Sequence, residues 1–225
     1  MSATDPPEPR YTPNLPQHLI ATGKLSDAQL EAITYAGQAH EKILPNGERK
    51  GFFVGDGTGV GKGREISGII MDNMRRGRKK AVWMSVTGKL INDATRDWTA
   101  IGGEKSDIFD LSKTKLSGSV HGSKGILFTT YSTLGSGMTA DAGGNLKLKE
   151  GKAKSRLDQI VTWLGADFDG VVVFDETHKL ANAISTKGKR GATQASRAGL
   201  AGVELQKRLP KARIVYVSAT GATRV

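Results

Sequence analysis

Short apolar runs alternate along this chain with segments whose apolar residues recur every three or four positions. The apolar runs predict strands at 51–54, 81–86, 108–111, 125–129, 171–174 and 213–217. The helical spacing predicts helices at 26–43, 66–74, 157–164 and 192–209. Strands that alternate with helices form crossover units in which the strands are parallel and helices cover both faces of the sheet. The pattern therefore predicts an α/β domain with a mainly parallel sheet flanked by helices.

Two stretches depart from this alternation. Residues 1–24 begin with a proline-rich, polar segment and predict an N-terminal extension, which leaves residues 25–225 as one domain. Residues 135–154 are rich in glycine, lysine and small polar types, a composition that predicts a mobile insertion. A chain of 225 residues with 37% hydrophobic content is long enough to fill one sizeable core.

Composition narrows the classes of partner. Lys and Arg outnumber Asp and Glu by 33 to 22, and the net charge of +11 favours a polyanionic partner such as nucleic acid. The basic residues gather at 75–80, 147–156 and 187–197, although solvated loops and helix ends would also explain them. The absence of cysteine excludes disulfides and thiolate metal sites. Without a membrane-length apolar run or a signal-peptide core, we expect a soluble protein without membrane partners, cytoplasmic in a bacterium or phage-like system or nuclear in a eukaryote.

A phosphate-binding loop is indicated at 52–64, where an apolar strand leads into alternating glycines and a lysine. Glycines let backbone N–H groups turn toward an anion, the helix start adds a positive dipole end, and Lys62 adds a mobile charge. The predicted nucleotide-binding residues are Gly57, Thr58, Gly59, Val60, Gly61, Lys62, Gly63 and Arg64. The strict P-loop pattern is broken at both ends, because Asp56 replaces its first glycine and Gly63 replaces its magnesium-binding hydroxyl. A glycine-rich turn with an incidental lysine is the alternative interpretation.

A second candidate motif follows the apolar residues 171–174, which deliver Asp175, Glu176, Thr177 and His178 to the end of a strand. Two carboxylates there are costly unless a cation or a catalytic task requires them. In a nucleotide site Asp175 would hold Mg²⁺, and Glu176 would orient and deprotonate the attacking water. A polar exit from the strand is the simpler alternative.

A third motif, Ser218-Ala219-Thr220, follows the last predicted strand. The order of the three motifs resembles motifs I, II and III of superfamily-two helicases. In those enzymes motif III couples the nucleotide state to the nucleic-acid track, largely through the histidine of motif II. The resemblance implies this coupling role for His178, Ser218 and Thr220, and it implies a RecA-like P-loop NTPase domain.

A closer resemblance rests on five short segments of this chain. The segments at 55–64, 168–170, 174–176, 178–179 and 218–223 resemble those of the strawberry notch helicase-like family. That family itself carries Gly-Arg after the P-loop lysine, so Gly63 is a family trait. The resemblance covers roughly residues 25–224. It leaves the missing magnesium ligand to Thr58, Asp175 or water.

The resemblance also extends to four positions outside the three motifs. Gln29 occupies the place of the glutamine that reads adenine, although Ser26 and Gln29 also form the sequence of a capping box for the same helix. Ser85, Thr87 and Thr130 fall where motifs Ia and Ib contact the phosphate backbone of nucleic acid. Ordinary turn chemistry at strand ends is the alternative for these three residues.

The resemblance implies an ATP-binding motor domain of a nucleic-acid translocase, with ATP and Mg²⁺ as cofactors. DNA is favoured over RNA as the nucleic acid. A second RecA-like domain, in cis or in trans, would supply arginine fingers, so we expect the chain alone to hydrolyse ATP weakly. The alternatives are a nucleotide-dependent scaffold module without motor activity and a P-loop ATPase that remodels proteins.

Overall fold

Six parallel strands form the central sheet in the described part of the chain. The computed structural model describes residues 7–55, 61–141, 145–177, 187–188, 191–192 and 197–218. The strands of this sheet are β1 (Phe52–Val54), β2 (Lys80–Ser85), β3 (Ile108–Asp110), β4 (Gly125–Thr130), β7 (Val171–Asp175) and β10 (Arg213–Val217). Their order across the sheet is β1-β10-β7-β2-β4-β3, and every neighbouring pair is parallel.

Two short antiparallel pairs lie outside the central sheet. They are β5 (Met138–Ala140) with β6 (Leu146–Leu148), and β8 (Lys187–Gly188) with β9 (Gly191–Ala192). The helices are α1 (Gln17–Ala21), α2 (Asp27–His40), α3 (Lys62–Arg75), α4 (Ile91–Ala100), α5 (Tyr131–Leu134), α6 (Arg156–Leu164) and α7 (Arg197–Arg208). In the described ranges, no helix combines the length and the apolar character that a membrane crossing requires.

Apolar side chains cover the sheet on both faces. In β7, Val171 and Val173 join the cluster formed with α2, α3 and α4, whereas Val172 and Phe174 join the cluster formed with α6 and α7. Successive residues of a strand point to opposite faces, so an unbroken apolar run is the pattern of a strand buried on both sides. The prediction of an α/β domain with a mainly parallel sheet flanked by helices is confirmed.

The helix boundaries differ from the predicted ones at several points. The helix predicted at 26–43 ends at His40, and the one predicted at 192–209 begins at Arg197 in the described residues. Ser155 caps α6 through the capping box that it forms with Asp158. The sequence analysis missed α4 because only Ala94 and Trp98 of that helix are buried, too few to reveal a helical period.

The segments predicted as an extension and an insertion both contain ordered contacts. Tyr11 Oη donates a hydrogen bond to Asp72 Oδ2 at 2.6 Å, and Leu19 is fully buried against the core. In the segment 135–154, β5 and β6 pair antiparallel, and Met138 of β5 is buried. The composition of these two segments predicted neither feature, because one buried apolar residue hardly changes the average polarity of a polar segment. The domain boundaries themselves remain predictions.

Candidate functional site

The three predicted motifs are attached to strands that end at the same edge of the sheet. Parallel strands share a carboxyl edge, where α/β proteins bind their ligands. Backbone hydrogen bonds tie the strand ends together there: Ser218 N donates to Val54 O at 3.1 Å, and Thr177 N donates to Val217 O at 2.9 Å. The ends of β1, β10 and β7 are therefore held in a fixed relation to one another.

The start of α3 has the geometry of an anion site. Gly61 is its N-cap and adopts φ of 83°, in the left-handed region that favours glycine. A Cβ at this position would lie 2.6 Å from Gln29 Nε2, so a larger residue here would displace the end of the Gln29 side chain. Because Gly61 offers no side chain to the N–H groups of the first turn, the chemistry of this helix start fits a phosphate group.

Other predicted loop residues have different positions. Lys62 and Gly63 begin α3, and Arg64 Nη1 donates to Lys24 O at 2.7 Å. Gly57, Thr58, Gly59 and Val60 lie outside the described residues, as do His178 and Thr220. The loop between β1 and α3 is thus described only at its two ends.

Gln29 takes part in both local and tertiary contacts. Its Oε1 accepts from Ser26 N at 3.0 Å, and its backbone N donates to Ser26 Oγ at 3.3 Å, which completes the capping box. Its Nε2 also donates to the Gly61 carbonyl at 3.5 Å. The helix-capping interpretation is therefore correct, and Gln29 also lies against the end of the loop. Its contact with a base remains a prediction.

Asp175 is held by hydrogen bonds from the end of β2 and from the first residue of α5. Ser85 Oγ at the end of β2 donates to Asp175 Oδ2 at 3.3 Å, and Tyr131 Oη, just after β4, donates to the Asp175 carbonyl at 2.6 Å. Burial, followed by the charge of Glu176, raises the pKa of Asp175 above its usual range, while the Ser85 bond acts in the opposite direction. A bound cation would relieve this unfavourable charge.

Glu176 has an unusual backbone conformation. Among the described non-glycine residues, it is the one with a positive φ, which is 56°. Such conformations cost free energy and cluster at functional sites. Glu176 directly follows the end of the buried strand, and its charge helps to raise the pKa of Asp175.

The residues predicted to contact nucleic acid differ in exposure. Ser85 is buried and its hydroxyl faces Asp175, whereas Thr87 is exposed. Thr130 Oγ1 accepts from Thr133 N at 3.1 Å and so caps α5, the turn chemistry considered as its alternative. Ser218 is also buried. Their roles toward nucleic acid remain predictions.

The basic segment 75–80 lies away from this edge, since it joins the end of α3 to the start of β2. Its members have structural partners: Arg76 Nε pairs with Asp72 Oδ1 at 2.9 Å, and Lys80 Nζ donates to Trp163 O at 2.6 Å. The lysines of β6 and of the segment from β6 to α6 are exposed, namely Lys147, Lys149, Lys152 and Lys154. This second group belongs to the segment that follows β4 and α5, in which Lys149 N donates a hydrogen bond to Gly137 O at 3.0 Å.

Asp97, which lies outside all the predicted motifs, contacts the start of α3. A Cβ on Gly63 would overlap Asp97 Oδ2, which projects from α4. Arg64 Nε and Arg96 Nε face the other oxygen, Asp97 Oδ1, at 4.0 and 3.5 Å. Sequence reasoning missed Asp97 because α4 itself was missed, and Gly63 was the only signal that pointed to a replacement.

Comparisons with known proteins agree with this geometry. The family model described as P-loop containing NTP hydrolase pore-1 matches residues 1–225. Protein strawberry notch homolog 1 of Gallus gallus is 47% identical over 99% of this chain, and protein strawberry notch of Drosophila melanogaster is 44% identical over 99%. The chain spans 17% and 13% of the lengths of these two relatives.

A solved structure shares the fold at low sequence identity. It is a Dbp5 variant of S. cerevisiae bound to Nup159, Gle1, IP6 and ADP, with a TM-score of 0.55 and 13% identity. The similarity covers 95% of this chain and 48% of that one. The match of the family model over the whole chain, together with the two relatives, shows that the chain belongs to the strawberry notch family of P-loop containing NTP hydrolases.

Proposed function

We propose that this domain binds ATP with Mg²⁺ and forms one half of an ATP-driven nucleic-acid translocase. The observation that carries the proposal is the shared edge of β1 and β7. There the glycine-capped start of α3 and the Asp175–Glu176 pair belong to strands tied through β10 by backbone hydrogen bonds. A phosphate site and a carboxylate pair in this relation favour phosphoryl transfer to water over simple anion binding.

Each group then has a specific task. The first-turn amides of α3 and the Lys62 ammonium hold the phosphates, and Asp175 holds the cation. When bound, Mg²⁺ neutralises the charge that develops on the transferring phosphoryl group. Glu176 accepts the proton of the attacking water. Gly57, Thr58, Gly59 and Val60 complete the loop, while Gln29 contacts the base and Arg64 fixes the helix start.

Nucleic acid is the proposed track, with DNA favoured over RNA. The net charge of +11 favours a polyanion, and the lysines at 147–154 are exposed and therefore accessible to one. Thr87 and Thr130 would contact the phosphate backbone of the nucleic acid. The buried Ser85 would belong to the same motif as Thr87. His178, Ser218 and Thr220 would couple the nucleotide state to that track. A second RecA-like domain, in cis or in trans, would close the nucleotide site and supply an arginine.

Calorimetry with ATP and Mg²⁺ tests the binding step. Lys62→Ala removes one charged contact to phosphate, and hydrogen bonds to charged groups contribute roughly 1.5 to 3 kcal/mol, so affinity should fall about tenfold to a hundredfold. Lys105→Ala is the matched control, because Lys105 is exposed and lies three residues before β3, on the opposite edge. Equal affinity of wild type and Lys62→Ala, both folded, would refute the assignment of the P-loop.

A further inference from the structure

Residue 63 is where a standard P-loop places the hydroxyl that binds magnesium, and here it is glycine. The space beside Gly63 is not empty. A Cβ on this residue would overlap Asp97 Oδ2, so the carboxylate occupies the volume into which a serine or threonine side chain would project. Gly63 and Asp97 therefore form a complementary pair, in which the oxygen comes from α4 rather than from α3.

The contacts of Asp97 distinguish its two oxygens. Arg64 Nε and Arg96 Nε face Oδ1 at 4.0 and 3.5 Å, both longer than the 2.7–2.9 Å typical of a charge-assisted hydrogen bond. Oδ2 is the atom that lies against Gly63. The Asp97 side chain is 16% exposed, so it is largely desolvated yet still reached by water. The arginines orient the carboxylate while Oδ2 remains directed at the P-loop helix.

The topology brings α4 to the same edge as the predicted metal carboxylate. The helix follows β2, whose last residue Ser85 donates a hydrogen bond to Asp175. Mg²⁺ in nucleotide sites keeps several waters and is typically bound by one or two carboxylates plus the phosphates of the substrate. Asp175 is one such carboxylate. A partly hydrated carboxylate in the place of the missing hydroxyl has the chemistry of the second.

We infer that Asp97 supplies, directly or through a bound water, the oxygen ligand for the nucleotide-bound cation that Gly63 lacks. The inference rests on the proposed function, since it concerns the same ATP and Mg²⁺ site. It also explains why residue 63 is glycine, because a hydroxyl side chain and the Asp97 carboxylate would compete for one space. The site takes Mg²⁺ or Mn²⁺ together with a nucleoside di- or triphosphate.

Variants that move the proposed ligand oxygen from α4 to α3 test the inference. ADP affinity is measured by calorimetry with Mg²⁺ and again with EDTA, and Mn²⁺ binding in the presence of ADP is followed by electron paramagnetic resonance. Asp97→Ala should reduce the metal-dependent part of ADP affinity about tenfold to a hundredfold, the loss typical for groups that support a bound metal. Affinity in EDTA should be unchanged. The double variant Gly63→Ser with Asp97→Ala should recover most of the metal dependence.

Two further variants separate a metal role from a structural one. Asp93→Ala is the matched control, since Asp93 lies one turn earlier on α4 and pairs with Arg96 at 2.8 Å; it should leave the metal dependence intact. Gly63→Ser alone should weaken binding, because its side chain meets Asp97. Thermal melts establish that each variant is folded. Asp97→Asn keeps the shape of the side chain, so it should lose metal dependence without loss of stability.

Other outcomes of the same measurements would contradict the inference. If Asp97→Ala and Asp97→Asn weaken ADP binding by the same factor with and without metal, or leave Mn²⁺ binding unchanged, the inference is wrong while the proposed function stands. Failure of the double variant to regain metal dependence, despite a normal melt, would also overturn it. A wild-type chain that binds no nucleotide under any condition would overturn both proposals together.

Discussion

The Ser85 hydroxyl donates a hydrogen bond to the Asp175 carboxylate at 3.3 Å and so joins the ends of the neighbouring strands β2 and β7. This bond partly offsets the burial and the Glu176 charge that raise the pKa of Asp175. A carboxylate with a raised pKa is destabilised in its ionised form in the folded chain. The ionised site therefore opposes folding until a cation occupies it.

Replacement of this carboxylate should stabilise the metal-free chain. For an acid with a raised folded-state pKa, the favourable contribution to stability is fully present below the unfolded pKa and disappears as pH rises through the folded pKa. Asp175→Asn should therefore raise the melting temperature at pH 7 without Mg²⁺, and the gain should shrink as pH falls toward the ordinary aspartate pKa. Melts from pH 4 to pH 8 measure this.

Ser85→Ala provides the comparison for Asp175. Loss of its hydrogen bond should raise the pKa of Asp175 further, so the metal-dependent affinity for ADP should decline at a higher pH than in wild type. If Asp175→Asn melted at a lower temperature than wild type at neutral pH, this would contradict a raised pKa of Asp175 in the folded chain.

Glu176→Gln should separate nucleotide binding from hydrolysis. The amide preserves the shape of the side chain but accepts no proton from water, so a chain complemented by its second domain should lose on the order of 100-fold or more in turnover. ATP affinity should change little. Single-turnover hydrolysis and calorimetry measure the two effects, and near-normal turnover would place the base elsewhere.

The chain by itself should bind ATP but hydrolyse it slowly. Ground-state binding needs the phosphate loop and the metal carboxylate, whereas the transition state calls for an arginine from a facing domain, worth about 10³ to 10⁵ in rate in related P-loop enzymes. Addition of a second RecA-like domain, in cis or in trans, should restore turnover. Rapid nucleic-acid-stimulated hydrolysis by the chain alone would direct attention to Arg197 in a homo-oligomer.

Nucleic-acid binding should be weak and strongly dependent on salt. Non-specific sites typically bind at about 10⁻⁴ to 10⁻⁶ M at physiological salt, and each phosphate contact contributes to the slope. Fluorescence anisotropy should show that glutamine at 147, 149, 152 and 154 lowers affinity and flattens the salt dependence. Glutamine at 75 and 79, on the opposite edge, is the control. Absence of binding at low salt would favour the protein-remodelling alternative.

The N-terminal segment should contribute to stability through Tyr11. Its hydroxyl donates to the buried Asp72 carboxylate, and burial with this bond raises the pKa of Tyr11 to about 12. Tyr11→Phe should cost about 1.5 to 3 kcal/mol in the free energy of unfolding, measured in urea. Tyr35→Phe is the control, because its hydroxyl donates an exposed hydrogen bond to the uncharged Pro7 carbonyl. Equal effects of the two changes would contradict this role.

The sequence predicted those parts of the fold in which the pattern of adjacent residues reveals whether a segment is buried. The run Val171–Phe174 identifies a strand buried on both faces, and the carboxylates that follow it must lie at the carboxyl edge. Asp97 had no such signal, since its importance depends on the approach of α4 to Gly63, a tertiary relation. The packing of Tyr11 against Asp72 joins positions 61 residues apart and was equally invisible.

The lengths of the strands also limit how this sheet can associate with other chains. In the described part of the chain, the edge strands β1 and β3 have three residues each, whereas the interior strands have five or six. Short edges expose few unpaired backbone groups and so resist the addition of a foreign strand. Sheet extension is therefore disfavoured, and partner domains are left to dock against the loops and helices that surround the sheet.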